Sequence, residues 1–506
     1  MRNYLAGILI LLIYVSAVNG DDLRLIDAVK NNDEDKVQQL LKDDINVNQQ
    51  SPDGTTALHW AVHRDSTEIV ELLINNGADV NLIDESGATA LWVAVKNGNT
   101  VKAKMLLAAG TDPNTPINSG ETPLMTASDI GNIDIVEALL ASNANVHAKE
   151  SEAGQTALMW AVAEGHEDIA EALIESGASV HEKTHSGLSP LHFASLNGSL
   201  AATKKLVSMD AEINAMSKDE MSPLLLATAG GHDELSRFLL AQGANPQERD
   251  YRGYTPLHYA AMRRSMIESV KSLLDKGADP NAVILNAKSD HEYHAVPDLP
   301  FLKSPTRIVE TGIRGDTMPA GVTPVYMAAK NRNAPALKLL VERGGDIHRP
   351  SGESVYYLGG SGRRVNYIAG TTPLMAAAGM DRVTDNWISL SKEFQDEALE
   401  TVKVAIELGA DINATNEYGM TALHASCFIN ADNIIEYLVE NGADINAKDN
   451  FGQNPVSISR HIIVAGLGSY FDTRPRRSSP STFKLLMDLG AIPLEESGVV
   501  VRDYTY

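Results

Sequence analysis

The chain has 506 residues, 43% of them hydrophobic, and a formal net charge of −24. That length exceeds one ordinary globular core, so several domains or a repeat array is expected. The charge excludes nucleic-acid and anionic-membrane partners as classes, because the dominant attraction has the wrong sign, and leaves a solvated acidic surface or an acidic face for a basic partner.

Residues 1–20 read as a secretory signal outside the fold. Arg2 supplies a positive start, Leu5 to Val18 is an apolar run, and Val18-Asn19-Gly20 offers small residues for cleavage before Asp21. Cleavage after Ala17 is the neighbouring alternative, and an uncleaved anchor is the other reading. The run is shorter than the roughly 20 residues a spanning helix needs, and no other apolar run is long enough. Cys427 is the single cysteine, so an internal disulfide cannot form. An exported chain without disulfides relies on packing, which favours a bacterial periplasm or cell exterior. Cys427 itself reads as a small buried hydrophobe.

Asp22 to Asn48 reads as a degenerate first unit, with an apolar start at Leu23, Leu25 and Ile26 and a second stripe at Val37, Leu40 and Leu41. The first regular unit runs from Gly54-Thr55-Thr56-Ala57-Leu58-His59-Trp60-Ala61 through Glu68 to Leu73 and closes at Gly77-Ala78-Asp79-Val80-Asn81. Gly87 follows 33 residues later, then Gly120, Gly154, Gly187, Glu220 in a glycine's place, Gly253, Gly321, Gly370, Gly419 and Gly452. Each unit predicts two helices. Thr or Ser caps the first, often with Pro at its first position, as in Thr122-Pro123 and Thr255-Pro256. The second is apolar at helical spacing and ends at a glycine suited to a left-handed residue. Such a pair buries both faces only by stacking on its neighbours.

Three intervals depart from the period. Gly253 to Gly321 spans 68 residues, and the excess, about Val283 to Ala320, holds His291 and His294. Gly321 to Gly370 spans 49, with the extra residues around Ser351 to Ala369 and a Gly-rich run Leu358 to Arg364 read as a flexible loop. Gly370 to Gly419 also spans 49, with the excess between the two helices, around Asp381 to Asp396, including Trp387. The last unit carries a similar excess at Gly466 to Pro480. Insertions of this kind map to loops at the edges of an array.

The eleven phased units resemble the ankyrin-repeat superfamily over residues 22–493. The resemblance implies an all-α solenoid of about twelve helix-turn-helix units with β-hairpin fingers and several loop insertions. The organisation expected is a signal at 1–20, an N-terminal array at 21–282 (repeats 1–8), an insertion at 283–320, a C-terminal array at 321–493 (repeats 9–12) and a tail at 494–506. The signal segment, the Ala57 to His63 stretch, Gly120 to Ala127 and Gly154 to Ala161 are similar to exported bacterial members. The resemblance implies a non-catalytic scaffold, secreted or periplasmic, that binds a protein partner. No cofactor, metal, nucleic acid or membrane insertion after signal cleavage is expected, and a monomer is expected. An exported effector binding a host protein is the alternative. The less favoured alternative is an enzyme or metal-binding subunit using His291, His294, Arg363, Arg364 and Asp381.

In the family, the histidine that His59, His192, His258 and His424 represent is structural, bonding near the Thr cap. His291-Glu292-Tyr293-His294 lacks the spacing that sets two histidines one helical turn apart. No nucleophile elbow or phosphate loop is present. The residue after that histidine tends to face the concave groove: Trp60, Val93, Thr126, Trp160, Phe193, Leu226 and Tyr259 in the first regular units. Four are aromatic in a chain that is 5% aromatic. With His63, Arg64, Arg263 and Arg264 beside them, Trp60, Trp160, Phe193 and Tyr259 form the candidate partner-binding set, since aromatics and Arg dominate interface energetics. Padding between repeats is the competing reading. On the binding reading, Trp160→Ala and Phe193→Ala abolish capture and leave unfolding nearly unchanged.

Overall fold

The computed structural model describes residues 22–285, 320–352, 355–358, 364–380, 392–460, 479–493 and 496. The signal segment, most of the insertion at 283–320 with His291 and His294, the centre of the Gly-rich run, Asp381, Trp387 and nearly all of Gly466 to Pro480 and the tail lie outside them. Among the described residues there are 24 α-helices, in two compact units that divide after Ala211.

Unit 1 holds six pairs: α1 (Arg24–Lys30) and α2 (Glu34–Lys42), α3 (Ala57–His63) and α4 (Thr67–Asn75), α5 (Ala90–Lys96) and α6 (Thr100–Ala108), α7 (Pro123–Ile130) and α8 (Ile133–Ala141), α9 (Ala157–Glu164) and α10 (Glu167–Glu175), α11 (Pro190–Asn197) and α12 (Leu200–Ser208). First helices pack on first helices and second on second, burying Leu58, Leu91 and Leu124 in one row and Leu73, Leu106 and Leu139 in the other. Fingers between pairs are closed by backbone bonds, as where the Ser51 N–H donates to the Thr55 carbonyl at 2.9 Å and the Gly54 N–H to the Ser51 carbonyl at 2.8 Å. Neighbouring fingers are tied tip to tip: the Glu85 N–H donates to the Asp53 carbonyl at 3.0 Å and the Asn118 N–H to the Ser86 carbonyl at 2.8 Å. One buried cation interrupts the apolar second-helix row. Lys102 is 1% exposed, and its ammonium is bonded to the Asp65 carboxylate of the preceding turn.

Unit 2 holds α13 (Pro223–Gly230) and α14 (Asp233–Ala241), α15 (Pro256–Ala261) and α16 (Ile267–Asp275), α17 (Pro324–Lys330) and α18 (Ala334–Glu342), α19 (Pro373–Ala377) and α20 (Lys392–Glu407), α21 (Ala422–Phe428) and α22 (Asp432–Glu440), α23 (Pro455–Ser459) and α24 (Pro480–Asp488). Strands β1 (Val355–Leu358) and β2 (Arg364–Tyr367) pair antiparallel, Val355 opposite Tyr367 and Leu358 opposite Arg364. The run read as a flexible loop therefore has a paired strand residue at each end, because Val355-Tyr356-Tyr357 and Val365 carry the β-preferring side chains. The excess read between the helices of the tenth unit is partly helix. Residues from Lys392 extend α20 to 16 residues.

The long insertion leaves the stacking of its two neighbours intact. Asn281 Nδ2 donates to the Gly344 carbonyl at 2.8 Å, the Asp346 N–H donates to Asn281 Oδ1 at 2.8 Å, and Arg343 pairs with Asp275 at 2.8 Å. Ile284 and Val322 are joined at 3.0 Å, as are Gly321 and Ile284. Gly253 shows why a glycine opens each unit. It sits at φ +86°, and a Cβ there would lie 2.6 Å from the Leu285 backbone nitrogen. Glu220 holds the equivalent place at φ +56° and bears the strain of a left-handed residue with a side chain.

Candidate functional site

The first helices are fixed from their caps upward. Thr56 caps α3, and its N–H donates to His59 Nδ1 at 3.2 Å. The ring proton therefore sits on Nε2, which donates to the Ala88 carbonyl of the next finger at 3.0 Å. His258 repeats this toward Thr255 (3.1 Å) and Val322 (3.2 Å), and His424 toward Thr421 (3.1 Å) and Gln453 (3.3 Å). In the sixth unit the Ser189 N–H donates to His192 Nδ1 at 3.0 Å. Burial pulls the His258 pKa down to about 3 and that of His424 to about 4, and lowers that of His59. His59, His258 and His424 are neutral clamps between units, each with both ring nitrogens engaged.

The candidate set separates into three groups. Trp160, Phe193 and Tyr259 are 3%, 5% and 4% exposed, so their rings pad the row and offer almost no edge to a partner. Tyr259 is further committed through its hydroxyl, which donates to Asp250 Oδ2 at 2.7 Å and accepts from Arg252 Nη2 at 2.7 Å, while its ring stacks on Tyr254 with centroids 5.2 Å apart. Burial pushes that hydroxyl well above the usual tyrosine range. Against the expectation that Trp160→Ala and Phe193→Ala spare stability, their burial means that each removal opens a cavity between helices.

Arg263 and Arg264 are occupied internally. Arg263 Nη2 donates to the Ala229 carbonyl at 3.1 Å and its chain lies on Gly231. Arg264 donates to the Arg332 carbonyl at 2.9 Å and pairs with Glu400 at 2.9 Å and Glu397 at 3.7 Å. Arg332 pairs with Glu397 at 3.3 Å and lies 4.0 Å from the Phe394 ring centroid. The network straps the N-terminal half of α20 across two earlier turns.

Trp60, His63 and Arg64 form the third group, and they are brought together. Trp60 is half-buried, its Nε1–H held by Thr55 Oγ1 at 3.1 Å, and its ring meets His63 edge-on with centroids 5.6 Å apart. Lys30 stands over the Trp60 ring, its ammonium 4.7 Å from the centroid. In the next pair Lys96 is exposed at the position of His63, 5.7 Å from the ring of Trp92. Lys30 was missed because its unit is degenerate. Aligning Leu25-Ile26-Asp27-Ala28-Val29-Lys30 with Leu58 to His63 is the signal that finds it.

Among the described residues no group of three or more His, Cys, Asp or Glu is arranged to hold a metal ion, and no helix is long and apolar enough to cross a membrane. Cys427 is fully buried, and burial pushes its thiol pKa far above the usual range.

A family model described as ankyrin repeats (3 copies) matches residues 25–117, 103–184 and 189–284, and a second, ankyrin repeats (many copies), matches residues 405–459. The E3 ubiquitin-protein ligase KEG of Arabidopsis thaliana is 31% identical over 258 residues, 50% of this chain and 14% of that protein. The B-cell lymphoma 3 protein homolog of Mus musculus is 29% identical over 244 residues, 47% of this chain and 41% of that protein. The ankyrin repeat and KH domain-containing protein mask-1 of Caenorhabditis elegans is 29% identical over 262 residues, 49% of this chain and 10% of that protein. The chain thus covers less than half the length of each of these relatives, and an enzymatic name among them belongs to a protein of which it covers a small part.

Proposed function

This chain belongs to the ankyrin-repeat superfamily, and on that premise we propose that it is a non-catalytic protein-binding scaffold acting outside the cytoplasm, with its partner seated on the exposed ends of the first helices of unit 1. Ankyrin repeats imply protein partners. The observation that carries the location is the cluster of Trp60, Lys30, His63 and Arg64: a partly exposed aromatic ring beside Lys and Arg is the composition of an interface centre. Trp160 and Phe193 pad the first-helix row of unit 1, and Tyr259, Arg263 and Arg264 are committed to contacts within unit 2. Export is supported by Arg2 and the apolar run Leu5 to Val18, and the single Cys427, which allows no internal disulfide, favours a bacterial periplasm or cell exterior among exported destinations. A monomer in a periplasmic or extracellular compartment, with arrays on either side of the insertion at 283–320, completes the reading.

The test is site-specific photo-crosslinking in the native compartment. A photoreactive residue at Arg64, on the proposed face, is compared with one at Glu137, exposed on the second helix α8. A discrete adduct at 64 and none at 137 is expected. Adducts at 137 alone, or at neither, overturn the location.

A further inference from the structure

We propose that the ends of α1, α3 and α5 form a docking strip for an acidic, extended protein segment, its carboxylates opposite Lys30, Arg64 and Lys96 and an apolar side chain against Trp60. This rests on the protein-binding reading above and names the partner's chemistry. Three observations carry it.

The first is the pairing state of the cations. Five other cationic side chains of unit 1 are paired with carboxylates: Arg24 with Asp22 at 2.6 Å, Lys104 with Asp134 at 3.6 Å, Lys149 with Glu182 at 2.6 Å, Lys205 with Glu171 at 2.7 Å, and Lys102 with Asp65, whereas Lys36 donates to the neutral Gln39 amide at 3.2 Å. Among the described residues Lys30, Arg64 and Lys96 have no carboxylate within ion-pair distance. Lys30 and Lys96 rest on tryptophan faces instead, and Arg64 is exposed. The carboxylates on this face are Asp27, exposed on α1, and Glu121, half-buried on the finger beyond α5. Glu121 feels the charge of Lys96, which opposes the rise that burial gives its pKa, but neither carboxylate closes an ion pair with the strip.

The second is a change of sign along the row. The positions that hold Lys30, His63 and Lys96 hold Asp129 on α7 and Ala163 on α9, and the place of Arg64 is taken by Glu164. A cation at the last turn of a helix also favours the helix dipole. That effect does not account for the pattern, since α7, α9 and α11 end in left-handed glycines and manage without one.

The third is the ring. A partly exposed tryptophan under Lys30 and edge-on to His63 gives the strip an apolar centre with a charged rim. The overall charge of −24 repels an acidic partner at long range, but screening beyond about 8–10 Å leaves the local cations in control at contact. Helices packed about 8–10 Å apart set Lys30 and Lys96 roughly 20 Å from one another. An extended chain advances about 3.3 Å per residue, so the acidic run is about six residues long.

The probe is a fluorescein-labelled 12-residue peptide with a central Glu-Asp-Glu-Leu-Glu-Asp, read by fluorescence anisotropy on the full chain at 50 mM salt. Its analogue has Gln and Asn in place of the acids. The acidic peptide is expected to bind at least about tenfold tighter than the analogue, and to weaken at least about tenfold at 300 mM salt. Lys30→Gln/Arg64→Gln/Lys96→Gln removes the preference. Lys36→Gln/Lys42→Gln/Lys104→Gln, with the same charge change on the second helices, leaves it within twofold. Circular dichroism checks that both variants fold. Equal weakening in the two variants, or equal binding of acidic and amide peptides, overturns the proposal. An adduct at position 64 with a partner lacking an acidic run refutes this chemistry and leaves the scaffold reading standing. Loss of both the adduct and the peptide preference removes both.

Discussion

His258→Gln separates the two consequences of burying a neutral imidazole between units. The ring accepts from the Thr255 N–H at 3.1 Å and donates to the Val322 carbonyl at 3.2 Å, and it is fully buried. Gln is a usual partner in a reciprocal helix cap. A flexible amide in place of the rigid ring leaves at least one of the two bonds imperfect, which costs about 1–2 kcal/mol at pH 7. The wild-type ring, however, has its pKa depressed from 6.5 to about 3. Its neutral form stabilises the fold fully above pH 6.5. Below 6.5 the unfolded chain takes up a proton that the native chain refuses, so stability falls until pH has passed about 3. The slope is about 1.4 kcal/mol per pH unit, and the amide does not share it. The variant's deficit is therefore offset at about pH 5–6, and below that the variant is the more stable protein. Glu248 and Asp449 have pKa values raised by burial and respond to acid in the opposite sense, so the quantity to read is the difference between the two proteins at each pH. Native-state hydrogen exchange of α15 and α17 amides, with urea melts at pH 7, 6, 5 and 4.5, supplies it. A constant difference across that range means that His258 is not held neutral by its surroundings, and the clamp argument fails.

Trp160→Ala is expected to lose about 3–5 kcal/mol in chemical denaturation, whereas Trp60→Ala, half-exposed at the start, loses less than about 2 kcal/mol. Equal losses contradict the burial assignment. Glu220→Gly relieves a left-handed residue worth about 1–2 kcal/mol and adds back about 0.5–1 kcal/mol of chain entropy, so a net gain of about 0.5–1 kcal/mol is expected in a urea melt. Destabilisation instead means that the Glu220 side chain holds a needed contact. Replacing residues 286–319 by a four-residue Gly/Ser link shortens a closed loop about ninefold and raises stability by up to about 2 kcal/mol. A fall on calorimetry shows that the removed residues pack on the array.

The twelve pairs were legible in the sequence because the caps and the left-handed glycines recur at one period, and each is a local steric demand. Which aromatic faces a partner was not. Trp60 and Trp160 occupy the same place in the motif, yet their flanks differ: Trp160 stands between Thr126 and Phe193, both buried, and Trp60 between Asp27, exposed, and Val93, partly exposed. A ring is covered or bare according to residues one period away on either side. The strap from Arg264 to Glu397 and Glu400 was unreadable for a related reason. Its partners lie beyond two irregular intervals, and no spacing rule connects them. Hairpin β1–β2 was masked by its Gly-rich centre, which outweighed the β-preferring residues on both sides.

The hydrogen bonds joining Ile284, Gly321 and Val322 bring the two ends of the long insertion to adjacent places in one finger. To the array, the chain before and the chain after are already neighbours, whatever lies between. The position therefore behaves as a graft point. Sequence can be acquired or shed there over evolutionary time without renegotiating the stack, and a folded reporter domain spliced between Leu285 and Ala320 should leave both flanking helix pairs in register.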